Sequence, residues 1–186
     1  MTGQTHNPPI GLGPDLADAT EDQRRIVDLI ASGRRGSVPS PFLAMLDVPH
    51  LAEVIQEVGA TIRYRSTLQD AHREIAILAT AGAVRCGYEW NHHAPIARKA
   101  GLSEDVIQST RPGAAPAPSE PEATIIALCQ ELVANNIAKP KTLAAAIEQL
   151  GRTGASECVA IAGYYGLLAN FIKTGGFDEP FGSNTA

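Results

Sequence analysis

Glu89 and His93 stand four residues apart, the spacing that brings two side chains together on one face of a helix. A carboxylate against an imidazole fixes its tautomer and raises its basicity, which is how a general base is built near neutral pH. The everyday alternative is a solvated surface pair. Cys86 lies three residues before Glu89 and seven before His93, on the same side of a regular helix. A helix starting at Gly87 would leave free N–H groups near the sulfur, lowering the thiol pKa and making it a nucleophile. The alternative is an inert thiol in a helical core. Glu74 sits inside the apolar run HREIAILAT, where a lone carboxylate must pair, protonate or face water. Its partners are either the adjacent His72 and Arg73 or a group reached across on the helix of Glu89. Tyr88 and Trp90 are an aromatic wall or plain packing. His92 and His93 diverge by about 100° around a helix, so at most one shares a pocket with Glu89. The pattern lacks the His-x-x-x-His of a zinc helix, and neither a metal nor a cofactor is expected.

These groups crowd into one stretch. His72 to His93 spans 22 residues and holds the single Trp and three of the five His. The stretch continues to Gly101 and reads as helical, because Ile75, Leu78, Ala79, Gly82 and Val84 make an apolar face without strand alternation. Gly82 suggests close helix packing and Gly87 a break between two helices. Gly101 suits a left-handed stop.

Around this stretch the pattern predicts an all-α fold of six to eight helices. Residues 1–20 form an extended arm rich in Gly and Pro, anchored weakly by Ile10 and Leu12. Thr20 caps a first helix that ends near Gly33, with the Arg34–Arg35 pair just beyond it. A short helix over 42–46 precedes one capped by Asp47, carrying Pro49 early and turning Leu51, Val54, Ile55, Val58 and Ile62 inward. Ser66 or Thr67 caps the helix of Glu74, and Ser103 caps a short one. The proline-rich stretch near 111–121 is a linker inside a single domain spanning 21–175. Beyond it lie helices from Ser119 or Glu120 to about Asn136, from Pro140 to Gly151, and over 156–171. The tail 176–186 is an arm or a subunit contact.

Composition closes off other classes. Hydrophobic residues at 44% against 19% charged exclude a disordered chain, and aromatics at 5% point to helices packed through small side chains. A net charge of −5 with no basic cluster gives no support to nucleic-acid binding. Three scattered cysteines suit a reducing compartment, and no signal peptide or membrane span is read, so a cytoplasmic protein is expected.

The pattern Arg73-Glu74, then Cys86-Gly-Tyr-Glu89-Trp90-Asn-His92-His93, then Ile96-Ala97 and Gly101-Leu102-Ser103 resembles the carboxymuconolactone decarboxylase family, which includes the AhpD-like alkylhydroperoxidases. GYYGLLANFIKTGG resembles its closing Tyr-containing helix. The resemblance implies an AhpD-like helical fold, assembly into homotrimers or hexamers, and an active site near a subunit contact. In the peroxidase branch a Cys-x-x-Cys pair works with an upstream Glu and a His. By position these fall on Glu74, Cys86 and His93, while the second Cys falls on Glu89. A carboxylate cannot resolve a sulfenic acid. Glu89 instead matches the decarboxylase-like branch, whose chemistry is proton transfer on a small lactone or carboxylic acid. His93 is then the proton shuttle, with Glu74 supporting it. Arg73 and Arg85 are candidate carboxylate binders, and Tyr88, Trp90 and His92 candidate substrate contacts. A single-cysteine hydroperoxidase with an external reductant and a non-catalytic helical oligomer are the alternatives.

Overall fold

A computed structural model of the chain describes residues 11–117 and 119–183. The first ten residues of the expected arm, Ile10 among them, and the last three of the tail lie outside the described residues. Among those described there are eight α-helices and no strand, so the all-α expectation holds. They are α1 (Glu21–Ser32), α2 (Ser40–Ala44), α3 (Pro49–Arg65), α4 (Asp70–Ala83), α5 (Gly87–Lys99), α6 (Glu104–Ser109), α7 (Glu122–Asn135) and α8 (Pro140–Thr174).

The helix most deeply set is α4, buried without interruption from Glu74 to Gly82. It packs against α5, α7 and α8, while α2 rests on α8 and α1 on α3. Ala, Gly and Thr along α4 let these neighbours come close. At Gly82 a Cβ would lie 1.9 Å from the Thr110 carbonyl oxygen, so the chain after α6 crosses α4 at backbone contact. The main core joins Ile26, Phe42, Ile75, Leu128, Ile161 and Leu168. A smaller cluster holds Leu78, Ala81, Trp90, Ala94 and Ile107.

Several local readings carry over. Thr20 caps α1, accepting from the Gln23 N–H while the Gln23 side chain accepts from the Thr20 N–H. Ser103 caps α6, and Gly101 ends α5 with φ +94°. Gly151 (φ +71°) divides α8 where a helix stop is expected, but the chain resumes helix at once.

Other expectations are corrected by long-range contacts. Val48, not Asp47, occupies the N-cap of α3, and the Asp47 carboxylate accepts from the Gly13 N–H at 2.8 Å. Gln69 is the N-cap of α4. Ser66 and Thr67 turn instead to Glu157 on α8, whose carboxylate accepts from both hydroxyls and from the Thr67 and Leu68 N–H groups. Val54 and Val58 face outward at 53% and 50% exposure, because α3 buries the Ala52 and Gly59 stripe. They line an open apolar groove of about 560 Å³ between α3 and α8. α8 is long and apolar enough to cross a membrane by length and composition, with 44% of that window buried inside the fold.

Candidate active site

α4 and α5 meet at a sharp turn in which Arg85 takes a left-handed conformation (φ 55°) and Cys86 becomes the N-cap of α5. This return lays α5 along α4 and places Glu74 opposite His93. Glu74, Glu89 and His93 are all at most 4% exposed. His93 Nδ1 lies 2.7 Å from Glu74 Oε2, and His93 Nε2 lies 3.6 Å from Glu89 Oε2. The imidazole is therefore held between two buried carboxylates.

Their environments drive the two acids apart. Burial alone would raise Glu74, but the hydrogen bond from His93 and the charges of His93, Arg73 and Arg63 outweigh it and hold the carboxyl below its ordinary value. Arg73 braces it from behind at 3.4 Å and also binds Asp70 at 2.8 Å. Burial pushes Glu89 up, with only part of the effect offset by His93, Arg63 and Arg35. An ionised Glu74 accepts from His93 Nδ1–H, and in the neutral form of the ring the Nε2 lone pair is then directed toward Glu89. Two carboxyls with opposite displacements around one imidazole are the arrangement from which acid–base chemistry can be built.

The pair opens on a cavity of about 20 Å³, room for one water-sized group. Tyr88, Glu89, His92 and His93 line it, and so do Arg35, Arg63, Phe42, Tyr164 and Tyr165. Tyr165 meets the His93 ring edge-on with centroids 5.2 Å apart. The Tyr88 hydroxyl accepts from the Ser40 N–H at 3.2 Å, tying the cavity wall to α2. His92 is solvent-accessible at the rim, yet partial loss of hydration and the charge of His93 push its imidazole down to about 4.

The remaining sequence candidates lie elsewhere. Arg85 is exposed and outside the cavity lining. Trp90 belongs to the smaller core cluster, donating to Thr110 Oγ1 at 2.8 Å and packing on Phe181. Cys86 is buried beneath the tail after α8: its Sγ donates to Asp178 Oδ1 at 3.5 Å, and the same oxygen accepts from the Tyr88 N–H at 3.1 Å. Burial, together with the Asp178 and Glu89 charges and against the Glu89 N–H, pushes this thiol up to about 12. Asn91 fastens the tail, donating to the Pro180 carbonyl and accepting from the Gly182 N–H. Among the described residues no group of three His, Cys, Asp or Glu side chains is arranged to hold a metal ion.

Arg35, Arg63 and Tyr164 were not nominated from sequence. The Arg34–Arg35 pair and the Tyr-Tyr of α8 were visible there, but nothing local tied them to Glu89.

The model of the Carboxymuconolactone decarboxylase family matches residues 49–129. The match covers less than half of the chain, and over it the chain is similar to that family. The matched segment carries Glu74, Cys86, Glu89 and His93, whereas Arg35, Tyr164 and Tyr165 complete the cavity from outside it. No curated protein matches the chain. Among solved structures it is similar to the alkylhydroperoxidase AhpD core, an uncharacterized peroxidase-related protein from Ralstonia eutropha JMP134, at 21% identity, 94% of each chain and TM-score 0.70. An uncharacterized peroxidase-related protein from Silicibacter sp. TM1040 superposes at 11% identity over 97% of this chain and 96% of that one, with TM-score 0.72. The debrominase Bmp8, in its apo form, does so at 16% identity over 95% and 94%, with TM-score 0.67. These likenesses establish the AhpD-like helical fold.

Proposed function

We propose that the protein is an enzyme performing acid–base chemistry, of lyase or isomerase type, on a small carboxylate or lactone. The carrying observation is His93 set between an ionised Glu74 and a Glu89 whose carboxyl is pushed toward protonation. His93 Nε2 takes a proton from a substrate carbon beside a carbonyl, and the C–H electron pair moves onto that carbonyl. Protonated Glu89 returns a proton to the product carbon. The imidazolium then passes its proton to the Glu89 carboxylate across the 3.6 Å gap, restoring the starting state. In a decarboxylation the C–C electron pair left by departing CO2 moves onto the same carbonyl, Glu89 protonates the carbon, and a proton from water restores Glu89. Exposed Val54 and Val58 on the α3–α8 groove support the companion proposal that copies of the chain associate.

A single-cysteine hydroperoxidase is the second reading, since two of the similar structures are named peroxidase-related. Cys86 weighs against it: its thiol is covered and hydrogen-bonded to a carboxylate.

The deciding experiment follows a panel of small lactones and unsaturated carboxylates in D2O by NMR. Wild type should consume or deuterate at least one. His93→Asn and Glu89→Gln should lose about 100-fold or more, and Cys86→Ser should retain activity. Loss with Cys86→Ser and retention with His93→Asn would reverse the assignment.

A further inference from the structure

We infer that Arg35 and the Tyr164 hydroxyl, backed by Arg63, form the subsite that holds the substrate's carboxylate; the inference rests on the acid–base reading of Glu89 and His93 and names which end of the substrate is anchored.

The geometry carries it. Arg35 comes from the loop after α1, Arg63 from the last turn of α3, and Tyr164 from α8, and all three line the cavity of Glu89 and His93. Among the described residues neither arginine has a carboxylate partner, although the same cavity holds Glu89. Arg35 donates to the Gln56 carbonyl at 3.4 Å, lies over the Phe42 ring at 5.0 Å and faces the Tyr164 hydroxyl. Its Nε is buried without an acceptor. Tyr164 is 9% exposed, and its buried hydroxyl, which Arg35 faces as a donor, has no acceptor for its own O–H. Buried donors are nearly always satisfied, so two orphans in one cavity define the complement of a missing acceptor.

Gly59 keeps that place clear. A Cβ there would stand 2.1 Å from Tyr164 Oη and 2.8 Å from Arg35 Nη2. The side chain that any other residue would add is absent where the hydroxyl and the guanidinium come together.

A guanidinium and a phenol converging with no resident acceptor suit a planar anion, which a guanidinium fork binds through two parallel hydrogen bonds. Inorganic phosphate offers similar oxygens, so the two anions are tested side by side. The Arg73 and Arg85 expectation is replaced: Arg73 is engaged with Glu74 and Asp70, and Arg85 is exposed.

The test is titration of acetate and, separately, inorganic phosphate into the full chain, read by 15N NMR at arginine Nε and by calorimetry. Acetate should bind wild type and shift the Arg35 Nε resonance. Arg35→Gln should weaken it by about tenfold or more and Tyr164→Phe severalfold. Arg35→Lys should recover only part of the affinity, and Arg98→Gln, on an exposed ion pair with Glu104, should change nothing. If Arg35→Gln melts in a circular-dichroism scan, Tyr164→Phe and Arg35→Lys decide. No acetate binding to wild type, equal binding to Tyr164→Phe and Arg35→Lys, or preference for phosphate would overturn the inference. His93→Asn separates it from the underlying reading. Acetate bound by His93→Asn with turnover lost supports both. Arg35-dependent acetate binding with turnover intact in His93→Asn would sink the acid–base reading while the anion subsite stands.

Discussion

Glu74 Oε2 sits 2.7 Å from His93 Nδ1 although the two residues are 19 apart in sequence and on different helices. This contact fixes the imidazole between α4 and α5 and decides which nitrogen faces the cavity. Its counterpart, Glu89, approaches the other nitrogen at 3.6 Å without closing a hydrogen bond. One carboxylate is hydrogen-bonded to the ring; the other stands just beyond that reach.

The two acids should therefore respond oppositely to neutralisation. Glu89 is raised by burial, so its folded form favours the proton, and stability is lost as pH rises through the folded value. Glu89→Gln should stabilise the protein by about 1 kcal/mol at neutral pH while removing activity. Glu74 is lowered in the folded state despite the cost of burial, because His93 and Arg73 favour the anion. Its contribution is present above the ordinary carboxylate range and lost as pH falls through the folded value. Glu74→Gln should cost about 1–3 kcal/mol at neutral pH. Urea unfolding of both variants at pH 7 gives the comparison, and equal signs would contradict the assignment.

His92 sets a second pH window. Partial burial first, then the His93 charge, holds it down to about 4 when folded, so between that value and the ordinary imidazole range, near ~6.5, the unfolded chain binds the extra proton. Stability should rise with pH across this window. His92→Gln should flatten that part of the profile, as read from denaturation midpoints at pH 4.5 to 7.

Cys86 should be a slow thiol. With its pKa pushed up to about 12 by burial and the Asp178 carboxylate, iodoacetamide should label it at pH 8 at least about 100-fold slower than a free thiol. Gly87→Ala would place a Cβ 1.8 Å from the Glu179 carbonyl and force the tail away. Labelling of Cys86 should then accelerate. Site-mapped mass spectrometry reads both rates, and fast labelling of wild type would revive thiol chemistry.

Val58→Asp probes association. If the α3–α8 groove is covered by a second copy, a charge at this exposed position should lower the mass seen by light scattering and leave the monomer folded. A monomeric wild type would remove the proposal.

Much of the scaffold was written locally. The Thr20–Gln23 box, the stop at Gly101, the Ser103 cap and the four-residue spacing of Glu89 and His93 are each decided within one or two helical turns. Glu74 was legible as an acid out of place in an apolar run. The turn at Gly87 was visible too, although its close contact is with the tail and not another helix.

What the sequence by itself determined was an all-α chain with carboxylates and a histidine grouped on two consecutive helices, because helix periodicity and capping act over a few residues. Only the tertiary structure decided that Val54 and Val58 face outward, that Trp90 packs away from the cavity, and that Asp178 covers Cys86 from 92 residues away. It alone gathered Arg35, Arg63 and Tyr164 around Glu89. Those placements depend on which helix faces find one another, and burial of apolar surface is settled by the whole packing arrangement rather than by any one segment.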